Sequence, residues 1–253
     1  VPIVNANGVD LHTQVLGSGP SVVMVHGLLT GSLATWYYTA APALANDCQV
    51  LLYDLRGHGR SERVAAGYDV DTMVADLEAL LPHSSDTPVI LVGHSYGALI
   101  ALQFALKHPG RVDRLVLVEL PLPPSKMEEI TRFVERDPVD MVAALPESMQ
   151  QVLNAGPRRR RATRLLEGLR FLTMECSLLK DLVAEEDVPD DALQSVQCPV
   201  LGVFGSRSSC LSVGDRLGRL VADYRQVTLE GGHYLPLEAA SALTESIVGF
   251  VRG

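Results

Sequence analysis

The chain has 253 residues, 47% of them hydrophobic and 20% charged, with a formal net charge of -9. This length suits one large α/β domain with an insertion, or at most two domains, and the composition fits a soluble globular chain with a sizeable core. The acidic balance argues against a general nucleic-acid binder, whose phosphate contacts need a basic face, and no apolar stretch approaches the length of a membrane span. Val1-Pro2-Ile3-Val4 has neither the basic start nor the apolar centre of a signal peptide; it also lacks an initiator Met, which leaves a trimmed leader open. The four cysteines (Cys48, Cys176, Cys198, Cys210) lie far apart with no C-x-x-C pair. They read as buried or free thiols of a reducing, cytoplasmic compartment and not as a disulfide or zinc framework.

In chain order, residues 2–16 read as a hairpin around Asn7-Gly8, with Val9, Leu11, Thr13 and Val15 alternating after it. Ser21 to Val25 is a continuous apolar run, the mark of a strand buried on both faces, and it ends in His26-Gly27-Leu28-Leu29. A helix is expected over 33–45. Val50 to Tyr53 is the next strand, followed by Asp54-Leu55-Arg56-Gly57-His58-Gly59-Arg60-Ser61. Residues 71–81 carry helical spacing, with Met73, Leu77, Leu80 and Leu81 on one side. Val89 to Val92 is a further strand, and an apolar helix starts near Tyr96. Between them lies Gly93-His94-Ser95-Tyr96-Gly97, a G-x-S-x-G turn. Val112 to Glu119 is another buried strand. From Pro121 to about Gln197 no strand is expected, and helical runs fall near 125–136, 147–153, 159–174 and 176–184. Strands resume over 200–204 and 226–229, with helices near 212–221 and 236–251; Leu237, Leu243, Ile247 and Phe250 form the expected buried side of the last. Alternating strands and helices imply right-handed crossovers and a mainly parallel sheet, with chemistry at the carboxyl ends of the strands.

These motifs, in this order and over nearly the whole length, resemble the α/β-hydrolase family with an inserted helical cap. The resemblance implies a core of residues 1–120 and 198–253 and a cap of 121–197. It makes Ser95 the nucleophile, exposed at a strand-to-helix turn that Gly93 and Gly97 keep free of side chains. It makes His233, in Gly231-Gly232-His233 after the final strand, the base that accepts the serine proton and returns it to the leaving group. The backbone N–H groups of Leu28 and Tyr96 are expected to form the oxyanion hole. His26 and His58 match loop positions that hold backbone in place, His94 is expected to point away from the nucleophile, and His12, His83 and His108 read as surface or turn residues.

The acid is where the chain departs from the commonest pattern. That pattern places an Asp a few residues after the strand ending near Gly205, but here the sequence runs Gly205-Ser206-Arg207-Ser208-Ser209-Cys210. Part of the family carries the acid one strand after the nucleophile, and that slot holds Glu119. Asp215, another carboxylate in the cap, or a Ser–His dyad without an acid are the alternatives.

A serine at the turn favours acyl transfer over chemistry that needs an aspartate there, such as epoxide or haloalkane opening through an alkyl ester. The expected activity is hydrolysis of a small to medium carboxylic ester or thioester. C–C bond or lactone hydrolysis, or a non-hydrolytic binding or rearrangement role on the same fold, are the alternatives. No metal or cofactor signature is present. Trp36, Tyr37, Phe171, Met174 and Leu178 are candidate pocket residues, with Leu172 and Leu179 beside them; at helical spacing the cap residues among them also read as a packing face. Arg158-Arg159-Arg160-Arg161, near Arg164, is a solvated helix face or a docking patch for an acyl carrier protein or coenzyme A thioester.

Overall fold

The computed structural model describes residues 2–81, 87–123, 131–132, 134–143, 150 and 159–253, the side chains of 159–162 excepted. Strand β1 (Ile3–Ala6) turns into β2 (Val9–Leu16) through Asn7 and Gly8, both at positive φ (52° and 76°), the mirror-image turn whose twist matches a hairpin. β2 pairs antiparallel with β4 (Gln49–Tyr53). From there the sheet is parallel: β4, β3 (Ser21–Val25), β5 (Val89–His94), β6 (Val112–Val118), β7 (Val200–Gly205) and β8 (Tyr224–Leu229). The spatial order β1-β2-β4-β3-β5-β6-β7-β8 places β5, the strand that leads into Ser95, between β3 and β6.

The continuous apolar runs follow from burial on two faces. Val23, Val25, Leu91, Leu115 and Leu117 pack with helices α3 (Val70–Leu80) and α4 (Tyr96–Lys107). Their alternates Val22, Met24, Ile90, Val92, Val116 and Val118 pack on the opposite face. There they meet α1 (Ala34–Tyr37), α2 (Ala41–Leu44) and the C-terminal helix. Each central strand therefore has no polar face, unlike a half-exposed strand.

Two expected helices are each split. The run over 33–45 forms α1 and α2, because Pro42 lacks an N–H and its ring blocks continuation of the preceding turn. The last helix becomes α10 (Leu235–Glu238) and α11 (Ala240–Arg252), since Ala239 leaves helical dihedrals at φ -135°. Leu243 and Ile247 on α11 are buried as expected, whereas Leu237 on α10 is 43% exposed.

Between β6 and β7 the described residues contain helices and no strand: α5 (Pro138–Ala143), α6 (Arg159–Arg170), α7 (Leu178–Ala184) and α8 (Asp190–Gln194). The run expected over 147–153, residue 150 excepted, and most of that over 125–136 lie outside the described residues. α6 passes into a wider π-helical turn at Phe171–Glu175, where the i→i+5 spacing rotates successive side chains away from a 3.6-residue stripe. Helix α9 (Leu211–Leu220) connects β7 to β8. Carboxylates fasten the helical stretch to the core. Asp181 accepts the Tyr68 N–H at 2.9 Å, and Glu185 accepts the Val70 N–H at 2.7 Å. No helix of the described residues is long and apolar enough to cross a membrane.

Candidate active site

β5 runs into α4 through Ser95, which sits at φ 54° and ψ -126°. A non-glycine residue there stores about 1–3 kcal/mol of strain, held by the surrounding packing. A Cβ at Gly93 would lie 2.3 Å from the Gly97 carbonyl oxygen, and one at Gly97 would lie 2.4 Å from the His26 carbonyl oxygen. Neither position tolerates a side chain, so the turn can close and lift the Ser95 hydroxyl to the N-terminus of α4. The Ser95 N–H donates to the Val118 carbonyl at 2.9 Å, tying the turn to the end of β6.

His233, beyond the end of β8, brings Nε2 within 2.9 Å of Ser95 Oγ. Its other nitrogen, Nδ1, lies 3.1 Å from Glu119 Oε2. Glu119 ends β6, is fully buried, and has φ 54°, a turn that swings its carboxylate under the imidazole. The Gly205 N–H and the Ser208 hydroxyl both donate to the same carboxylate. Thus the loop that lacks an Asp supplies donors to a carboxylate from the neighbouring strand. Asp215 is exposed on α9 and contacts neither member of the Ser95–His233 pair.

Burial opposes a charged His233, but the Cys210 thiol and the Glu119 carboxylate beside Nδ1 outweigh it and hold its pKa above the ordinary histidine value. Cys210 Sγ lies 3.9 Å from Nδ1. His94 does not turn away as expected. Its Nε2–H donates to the His233 carbonyl at 2.9 Å, and its ring stands edge-on to Trp36. Burial, and then the neighbouring His233, lower its pKa to about 3, so it holds the His233 backbone as a neutral donor.

The loop after β3 lies against Ser95: a Cβ at Gly27 would meet Ser95 Cβ at 3.0 Å. The N–H groups of Leu28 and Tyr96 donate to no acceptor among the described residues, and both residues line the cavity that holds Ser95. Two histidines fix this loop. His26 donates from Nδ1 to the Gly27 carbonyl (2.7 Å) and accepts the Leu55 N–H at Nε2 (3.0 Å). His58 donates from Nδ1 to the Arg56 carbonyl (2.8 Å) and accepts the Leu29 N–H at Nε2 (2.9 Å). His12 is not a surface residue: it is buried, with Nδ1 2.7 Å from Asp54 Oδ2. His108 is partly exposed near Glu78, and His83 lies outside the described residues.

The cavity at Ser95 has a volume of about 600 Å³. Its walls include Leu28, Leu29, Tyr38, Pro121, Tyr234 and Leu237, with Arg136 among the lining residues. None of the five pocket residues expected from sequence is in its lining. Trp36 is fully buried beneath the loop, its indole N–H donating to the Val25 carbonyl at 3.1 Å. Tyr37 faces a neighbouring hollow with Arg60, Arg63 and Arg164, and its sequence neighbour Tyr38 faces the cavity. Phe171 lies under the Arg63 guanidinium, Leu178 is in the core, and Met174 is 68% exposed. The π-helical turn accounts for these last positions, since it breaks the periodicity that grouped them on one face. Cys210 and Leu237 carried no sequence signal as wall residues. Arg158 and the side chains of Arg159, Arg160 and Arg161 lie outside the described residues.

The family model described as alpha/beta hydrolase fold matches residues 20–203. The chain belongs to this family. Lipase LipV of Mycobacterium tuberculosis is 30% identical over 256 residues, covering 90% of this chain and 92% of the relative. An uncharacterized hydrolase of Bacillus subtilis, YraK, is 38% identical over 111 residues, but the match spans only 40% of that protein's length. Among solved structures, an enol-lactonase from Burkholderia xenovorans superposes with TM-score 0.76 at 21% identity, covering 100% of both chains. A hydrolase from Pseudomonas aeruginosa superposes with TM-score 0.81 at 23% identity, covering 100% of this chain and 98% of the other. At those identities the structural likeness concerns the fold. Proteins described as an esterase, a lipase, an epoxide hydrolase and a lactonase are among those it is similar to, and the matches span less than half the length of several of the curated relatives.

Proposed function

We propose that this chain is a serine hydrolase that cleaves a carboxylic ester or thioester of a small to medium acyl group through an acyl-serine intermediate. The observation that carries the reading is the continuous relay Ser95 Oγ–His233 Nε2 (2.9 Å) and His233 Nδ1–Glu119 Oε2 (3.1 Å), beside two uncommitted backbone amides. Glu119 holds the Nδ1–H tautomer, which leaves Nε2 free to accept the Ser95 proton as the hydroxyl attacks the acyl carbon. The oxyanion of the tetrahedral intermediate meets the N–H groups of Leu28 and Tyr96 at the positive end of α4. Collapse expels the alcohol or thiol, which takes the proton from Nε2. Water, activated by the same nitrogen, then releases the acid from Ser95. A serine at this position does not form the alkyl-ester intermediate of an epoxide hydrolase, so that relative's printed activity is not carried over. The cavity walls, mostly apolar around Leu28, Leu29 and Leu237, suit an uncharged acyl chain.

A fluorophosphonate probe tests the nucleophile. The expected result is one covalent label at Ser95, lost in Ser95→Ala, together with turnover of p-nitrophenyl esters of graded chain length that the same substitution abolishes. A folded protein that takes no label and turns over no ester or thioester is a binding protein instead.

A further inference from the structure

Three strand ends converge on one small volume. Glu119 ends β6, Cys210 follows β7 and His233 follows β8, and one donor atom from each lies within 4.8 Å of the others. Cys210 Sγ is 3.9 Å from His233 Nδ1, and that nitrogen is 3.1 Å from Glu119 Oε2. A tetrahedral Zn²⁺, with bonds of about 2.3 Å to sulfur and about 2.0 Å to nitrogen and oxygen, sets its donors about 3.6 Å (S to N) and about 3.3 Å (N to O) apart. The observed separations differ from these by only a few tenths of an ångström. The donor set is sulfur, nitrogen and oxygen, the mixture zinc favours. Among the described residues no other group of three such side chains comes together. Cys210 and His233 both line the cavity that opens at Ser95, so an ion has a route to them.

We propose that Glu119, Cys210 and His233 form an inhibitory site for a thiophilic divalent cation, Zn²⁺ in the first instance, which silences Ser95 by occupying the Nδ1 side of His233. Starting from the neutral imidazole with its proton on Nδ1, binding releases one proton to solvent, from the Cys210 thiol, and the Nδ1 proton moves through solvent to Nε2. The thiolate and carboxylate then balance the charge of the ion. With Nδ1 bound to metal, the neutral imidazole carries its remaining proton on Nε2. That nitrogen can donate toward Ser95 but can no longer take its proton. Glu119 is drawn from orienting the base to ligating the ion. The silencing rests on the proposed roles of Ser95 and His233; the existence of the site does not.

The test uses the full chain, stripped with EDTA and dialysed, with ZnCl₂ and CdCl₂ as probes. Equilibrium dialysis is expected to find one tight Zn²⁺ per chain. Cd²⁺ is expected to produce a thiolate-to-metal charge-transfer band in the ultraviolet. Zn²⁺ is expected to stop p-nitrophenyl ester hydrolysis, and EDTA to restore it. In Cys210→Ala and in the size-matched Cys210→Ser the band disappears. In both, the Zn²⁺ concentration for half-inhibition, measured against each variant's own metal-free rate, rises by at least about 10–100-fold, the loss that even an outer-shell partner causes. The proposal is overturned if wild type gives no Cd²⁺ band, if the band survives in both variants, or if Zn²⁺ inhibits wild type and variants equally. Should the chain hydrolyse no ester, the band and the dialysis still decide the site, and only the functional reading falls.

Discussion

Glu119 shows how much one residue's surroundings decide. Its carboxylate is buried, takes donors from Gly205 and Ser208, and turns its remaining lone pairs to His233. Its partner must be neutral to accept the serine proton, and the Glu119 and Cys210 side chains hold the His233 pKa above the ordinary value of about 6.5. The acid limb of kcat/KM is therefore expected to rise with pH through a midpoint above about 6.5. Glu119→Gln removes a charge that stabilises the imidazolium, so the midpoint moves to lower pH while kcat falls by about 10²–10⁴. A pH–rate series on both proteins, with circular dichroism to show that the variant is folded, checks this. A limb that stays in place with near-full activity assigns the acid elsewhere, and Asp215→Asn is then the variant to compare.

At the level of elements, the helical stretch after β6 reaches the turn at Ser95 through α7. The Tyr96 hydroxyl lies 2.8 Å from Glu185 Oε1, which also accepts the Val70 N–H, and 3.1 Å from the Tyr68 carbonyl. Tyr96 follows the proposed nucleophile and offers one of the two proposed oxyanion donors, so Glu185 ties the end of α7 to a residue whose amide that proposal needs in place. Glu185→Ala leaves the buried Val70 N–H without its acceptor, at a cost of about 1–3 kcal/mol. The expected outcome is a lower melting temperature, faster proteolysis between Leu178 and Gln194, and a fall in kcat larger than any rise in KM. An unchanged kcat in a destabilised variant reduces Glu185 to a fastening between the two parts.

For the whole molecule, the segment after β4 is a polar knot in the interior. Arg56 donates to both oxygens of Asp76 at 2.7 Å and 2.6 Å, and the pair is nearly inaccessible to solvent. Asp54 accepts the N–H groups of Leu33 and Arg60 and faces His12, which joins the loop after β3, α1 and the hairpin strand. Asp76→Ala strands a buried guanidinium. The expected loss is about 3–5 kcal/mol, or roughly 6–20 °C in Tm for a chain of this size, read by thermal denaturation. A loss below about 1 kcal/mol is what an exposed pair would give, and it would mean that water reaches Arg56.

Much of the fold was legible because its cause is local. Two-sided burial makes the central strands continuous apolar runs, Asn7-Gly8 turns the hairpin, and Gly93 and Gly97 leave room where any side chain would strike backbone. The candidate nucleophile, base and oxyanion amides were legible for the same reason, since each belongs to a short motif at a strand end. The walls of the cavity were not. Trp36 and Tyr38 differ by two positions, yet one is sealed under the loop and the other faces the cavity, because that depends on how a four-residue helix rotates onto the sheet. Likewise a single π-helical turn undid the stripe of Phe171, Met174 and Leu178. By itself the sequence determined which residues stand at the strand ends. Only the tertiary structure decided that Cys210 joins Glu119 and His233, because β6 is distant from β7 and β8 in sequence but lies beside β7 in the sheet, and that adjacency sets the three side by side.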